Sequence, residues 1–172
     1  MSAQTEMLGG RLPLLDPSTL SAAQKETYEH LNKTWVPWAN SVPFQSKLED
    51  GRLIGPFNPI LFSPAISSSF LELQETEQKN TSLNQRVRQV VILAVGAVWK
   101  SNYELYAHGA AARKAGISED AIRTLTTGGL PDDLSEQEKI AQRYARQLSA
   151  EHHVDAALYS EAEHALDRKS VV

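Results

Sequence analysis

Glu104 and His108 are the residues of this chain whose types and spacing suit them to proton transfer. They stand at i and i+4, so on a helix both side chains project from one face. An imidazole with its ordinary pKa of ~6.5 can act as base or acid near neutrality, and a carboxylate beside it can orient the ring. A neighbouring negative charge would raise that pKa and burial would lower it. Plainer roles compete with catalysis. Ser101-x-x-Glu104 is itself a capping-box pattern, and a histidine among alanines can simply bond a backbone carbonyl. A metal is not expected, since no HExxH pattern or third ligand accompanies the pair.

Two helices must carry this pair. Residues 83–99 open with a polar turn holding Arg86, Arg88 and Gln89, then run through the chain's longest apolar stretch, 90–99. Its valines and alanines recur at helical spacing, which predicts a helix from Ser82 or Leu83 through Trp99, buried on most sides. Lys100-Ser101-Asn102 breaks it, and a second helix is expected over about 102–115, closed by Gly116 in a left-handed cap. Arg88, Gln89, Ser101 and Tyr103 are the candidate substrate contacts around Glu104 and His108. Trp99, Tyr103 and Tyr106 also read as core or interface aromatics, and Arg86 and Arg88 as solvated or interface charges.

Elsewhere the punctuation is clear. Residues 1–13 form a loose arm, and Ser21-Ala-Ala-Gln24 is a capping box for a helix to about Trp35. Over 36–64 five prolines and two glycines exclude long helices, yet the aromatic and aliphatic content is high. This predicts a packed irregular wrap, or a stretch, Gly51–Pro59, folded over a pocket. Ser63-Pro64 starts a helix to about Lys79. Ser118 caps a short helix ending at Gly128-Gly129. Ser135-Glu-Gln-Glu138 boxes another to about Glu151, with Ile140, Tyr144 and Leu148 on its stripe. Val154-Asp155 opens the last, to about Leu166. The final residues, 167–172, look like the approach to a further helix. No stretch alternates at period two, so the fold class is all-α, a bundle of about seven or eight helices with a Pro-rich N-terminal wrap. One domain over 1–172 is expected, with arm, helix and wrap in 1–64 and the helical core in 65–172.

Composition narrows the function. The 172 residues contain no cysteine, which excludes disulfides, thiolate metal sites and thiol redox chemistry. A net charge of −4 argues against nucleic acid, whose phosphates need a concentrated basic face. The apolar run is far short of the ~20 residues of a spanning helix. The N-terminus has neither the basic start nor the apolar core of a secretory signal, so a cytoplasmic location is expected.

The pattern over 83–116 resembles the carboxymuconolactone decarboxylase family, which shares the alkylhydroperoxidase AhpD-like fold. TSLNQRVRQVVILAVGAVW is similar to that family's first core helix. YELYAHGAAARKAG is similar to its second, with the Glu-x-x-x-His spacing and closing Ala-Gly. GRLP and GPFNP are similar to an N-terminal extension of some members. In the peroxidase branch Cys-x-x-Cys opens the second helix; the matching positions here are Ser101 and Glu104, which cannot pass electrons. The decarboxylase branch has the glutamate before the histidine, as here. Both branches usually add a glutamate in the first helix, where this chain has Gln89. The resemblance implies a cofactor-free decarboxylase or lyase acting on a small acidic lactone or related carbonyl compound, with His108 transferring the proton and Glu104 orienting it. A binding or assembly protein on the same fold is the alternative, which the glutamine favours; peroxide reduction needs the missing thiols. The resemblance, with the alanine-rich second helix, also implies a homo-oligomer, a trimer or hexamer, with the active site near a subunit boundary and the 36–64 wrap contributing to it.

Overall fold

The computed structural model describes residues 11–168. The expected loose arm lies mostly outside these residues, as does the end of the 167–172 stretch. The described chain is helical, in a succession of α1 (Ala22–Lys33), α2 (Trp35–Asn40), α3 (Phe57–Ile60), α4 (Pro64–Asn80), α5 (Gln85–Trp99), α6 (Asn102–Lys114), α7 (Glu119–Thr126), α8 (Glu136–Glu151) and α9 (Ala156–Leu166). Apart from α2 and α3, which make one or two turns each, seven helices of eight residues or more carry the described fold. Among the described residues the β pairing is one isolated bridge, Lys47 with Leu53.

Packing divides the chain into two compact units between Asn80 and Thr81. In the N-terminal unit Ser21 caps α1 by the expected box, with Gln24 bonding back to the Ser21 amide at 3.0 Å. That helix ends at Lys33, with Thr34 as its C-cap, and α2 starts separately at Trp35. The 36–64 segment is the packed irregular wrap. Leu53, Phe57 and Leu61 are buried, and Trp38 meets Phe44 edge-on at 5.7 Å. Its backbone is held by side chains where no ladder exists. Tyr28 Oη donates to the Gly51 carbonyl at 2.9 Å, and buried Asn58 accepts from the Leu15 amide and donates to the Pro13 carbonyl, each at 3.1 Å. These bonds meet the needs that buried irregular backbone creates. Helix α4 joins this unit through Leu71, through Ser67 Oγ donating to the Ile60 carbonyl at 2.7 Å, and through a hydrogen bond between His30 Nε2 and Glu75 Oε1 at 2.7 Å.

The C-terminal unit is built around α5, against which α6, α7 and α8 pack, with α9 on α8. Helix α5 starts later than the sequence suggests. Its cap is Asn84, not Ser82 or Leu83, and the Asn84 side chain accepts from the Val87 amide at 3.0 Å. One core cluster joins Val90 and Leu93 of α5 to Ala112, Ile117, Ala121, Ile122, Leu125 and Leu134. Another joins Val87 to Ala141, Ala162 and Leu166, with Ile140 and Tyr144 packed beside it. Ser118, Ser135 with Glu138, and Asp155 cap α7, α8 and α9 as expected. Leu148 departs from its expected stripe and is exposed, since the inner face of α8 is lined by Ala141, Gln142 and Ala145.

Candidate functional site

The site forms where α5 and α6 lie against each other in the C-terminal unit. Helix α5 closes on Lys100 in the left-handed region (φ 53°), and Ser101 then starts α6 in an extended conformation. This short corner folds α6 back along α5. Gly96 lets the two helices approach: a Cβ there would be 3.2 Å from Leu105 Cδ2 and 3.5 Å from Glu104 Cβ.

His108 projects between the helices, with its side chain 17% exposed. Its Nδ1 lies 2.9 Å from Oε1 of Gln89, a buried residue of α5. On the other side of the ring Nε2 lies 3.4 Å from Oε2 of Glu104, whose side chain is 43% exposed. The three residues form one polar row from the core to the surface. Burial, reinforced by the nearby charge of Arg88, pulls the His108 pKa down from 6.5 to about 4. Of the two opposing effects expected on this imidazole, burial prevails, and the ring is neutral at neutral pH. Burial moves the Glu104 carboxyl the other way, above its ordinary value. The usual order of the pair is thereby reversed, and the carboxyl is the group that holds a proton more readily.

Arg88, half-buried in the first turn of α5, is close enough for its charge to act on His108. Gln89, expected as a substrate contact, is the hydrogen-bond partner of His108. Ser101 stands at the N-cap of α6 but its side chain makes no capping bond, so the box suggested by Ser101-x-x-Glu104 does not form, and the Glu104 carboxylate is turned to His108 instead. Tyr103 is half-buried and meets Tyr106 edge-on at 6.3 Å; burial first, then the Glu104 charge and Tyr106, push its phenol up to about 12. Trp99 and Tyr106 are largely exposed, so they are not core aromatics of the single chain. Among the described residues no group of three or more His, Cys, Asp or Glu side chains could hold a metal ion.

Sequence reading missed the anchor of this site. Arg86 is an internal ion-pair partner as well as a partly exposed charge: its Nε lies 2.6 Å from Oε1 of buried Glu138 on α8, and another guanidinium nitrogen donates to the Gly116 carbonyl. The pair ties the start of α5 to the end of α6 and the start of α8. Glu138 was visible only as a capping-box residue, and nothing local marked it as buried.

Residues 64–147, which span both core helices and the whole polar row, match the carboxymuconolactone decarboxylase family. The chain carries a domain of that family. The chain has no cysteine, and its all-helical order is that of the AhpD-like fold. No curated protein and no solved structure matches the chain. The carboxymuconolactone decarboxylase match covers α4 to most of α8 and leaves the N-terminal wrap outside. Among the described residues no helix is long and apolar enough to cross a membrane.

Proposed function

We propose that this protein is a cofactor-free, lyase-like enzyme that acts on a small acidic lactone or related carbonyl compound by proton transfer through His108 and Glu104. The observation that carries the reading is the polar row Gln89–His108–Glu104, which brings a neutral imidazole and a carboxyl of raised proton affinity within 3.4 Å of each other. A neutral imidazole beside such a carboxyl can take up and pass on a proton, as general acid–base chemistry requires. In a decarboxylation the bond from carbon to carboxylate breaks, its electron pair passes into the conjugated carbonyl, and the His108–Glu104 pair returns a proton to carbon. Arg88 supplies the positive charge that an acidic substrate needs beside the pair.

The test uses carboxymuconolactone, the compound in the family's name, as first probe, followed by other lactone acids, with carbon dioxide release as the readout. His108→Gln should abolish turnover while the helical circular dichroism and the melting temperature stay near those of the native protein. Full activity in that variant would end the reading. A binding or assembly protein is the second reading, favoured by Gln89 in place of a family glutamate. Binding of a lactone acid with no turnover would establish it.

We also propose a homo-oligomer, a trimer or hexamer. Ile66, Phe70 and Leu73 are spaced to share one face of α4 and are all exposed, Ile66 at 74%. Trp99 and Tyr106 add exposed aromatic surface at the corner of α5 and α6. Apolar surface of this kind marks association sites.

A further inference from the structure

We propose that Gln89 is a positioning residue that fixes His108 in the tautomer with its proton on Nδ1, so that Nε2 is the one working nitrogen and Glu104 its exchange partner. The inference rests on the reading of His108 as the proton-transfer group and assigns what each atom of the row does.

The amide oxygen of Gln89 can only accept a hydrogen bond. At 2.9 Å from Nδ1 it therefore requires a proton on that nitrogen. In the neutral ring the lone pair is then on Nε2, the nitrogen that faces Glu104 Oε2 at 3.4 Å. Gln89 is buried in α5, and α5 and α6 lie so close that a Cβ at Gly96 would meet Leu105 and Glu104. The ring thus has a closed end and an open end. Nδ1 is committed to the core, and Nε2 looks toward the half-exposed carboxyl.

A glutamine differs from a carboxylate at this place in one decisive way. A carboxylate on Nδ1 would favour the imidazolium and make His108 a ready acid. The neutral amide holds the same tautomer without adding negative charge. Among the charged groups near the ring, Glu104 lies 3.4 Å from Nε2 on the same helix, and Arg88 of α5 opposes protonation. When the pair takes up one proton, burial disfavours the imidazolium and favours the carboxylic acid, so the proton resides on Glu104 and its O–H donates to Nε2. That proton is the one returned to carbon when carbon dioxide leaves: Glu104 passes it to Nε2, and Nε2 hands it to the substrate carbon.

The experiment is a long-range 1H–15N correlation of the histidine side chains in uniformly 15N-labelled full-length protein, followed from pH 8 down to pH 5. His108 is identified by the signals lost in His108→Gln. The native protein should give the Nδ1–H tautomer for His108 throughout. Gln89→Glu, nearly isosteric, should keep that tautomer and raise the His108 pKa by at least one unit. Gln89→Met, which removes the acceptor, should lose the preference and give averaged or Nε2–H signals. A native spectrum dominated by the Nε2–H tautomer, or one that Gln89→Met leaves unchanged, would overturn the assignment. The measurement needs no substrate. Failure of the tautomer assignment is therefore distinguishable from failure of the proposed activity, which is read by turnover in His108→Gln.

Discussion

Arg86 Nε lies 2.6 Å from Oε1 of Glu138, and the carboxylate it meets is 5% exposed while the guanidinium side is 38% exposed. Glu138 also bonds back to the Ser135 amide at 2.8 Å, so one buried carboxylate serves both an interhelix ion pair and a helix cap. Removing the arginine would leave a buried charge with half its partners. Arg86→Met should destabilise the fold by about 2 kcal/mol, less than for a fully buried pair because water reaches the guanidinium. Urea unfolding of the two proteins measures it.

The same carboxylate gives a pH dependence. Burial pushes Glu138 up, but the bonds from Arg86 and Ser135 outweigh it and hold the group below its ordinary value of 4.5. A carboxyl of depressed pKa contributes stability that is full above the ordinary value and is lost as pH falls through the lowered one. Thermal melts below pH 4.5 should therefore fall more steeply for the native protein than for Glu138→Gln.

His108 acts at a higher pH. In the unfolded chain it binds a proton below about 6.5, whereas in the fold it resists until about 4. Stability should therefore decline as pH drops from 6.5 toward 4, by up to about 3 kcal/mol for this group alone. Glu104, of raised pKa, works in the opposite sense, since its uncharged form is the one the fold favours. The decline should flatten in His108→Gln and steepen in Glu104→Gln, both read from denaturant midpoints across that range.

Lys100 holds φ 53°, a left-handed conformation costly for a side-chain residue, in order to close α5. Lys100→Gly should raise stability by about 1 kcal/mol. At Gly96, by contrast, a valine would press on Leu105 and Glu104. Gly96→Val should cost about 2 kcal/mol and disturb the His108 signals in the same 15N spectrum.

Assembly is tested by sedimentation equilibrium at micromolar concentration. The native protein should exceed its monomer mass of 19.0 kDa. Phe70→Glu, on the exposed face of α4, should shift it toward that mass. A native protein that remains a stable monomer would sink the proposal.

The sequence by itself determined the helices, because their signals are local. Caps at Ser21, Ser118, Ser135 and Asp155 bond within one turn, and the proline spacing of 36–64 excludes long helices without reference to any partner. It also paired Glu104 with His108, since i and i+4 on one helix is a matter of periodicity alone. Only the tertiary structure decided what those residues experience. That Nδ1 of His108 is taken by Gln89, nineteen positions earlier, depends on how closely α5 and α6 approach at Gly96. That Arg86 is tied to Glu138, fifty-two positions later, depends on the burial of the α8 N-terminus. The direction of the His108 pKa was a contest between charge and desolvation, and burial is a property of the packed helices, not of any stretch of chain.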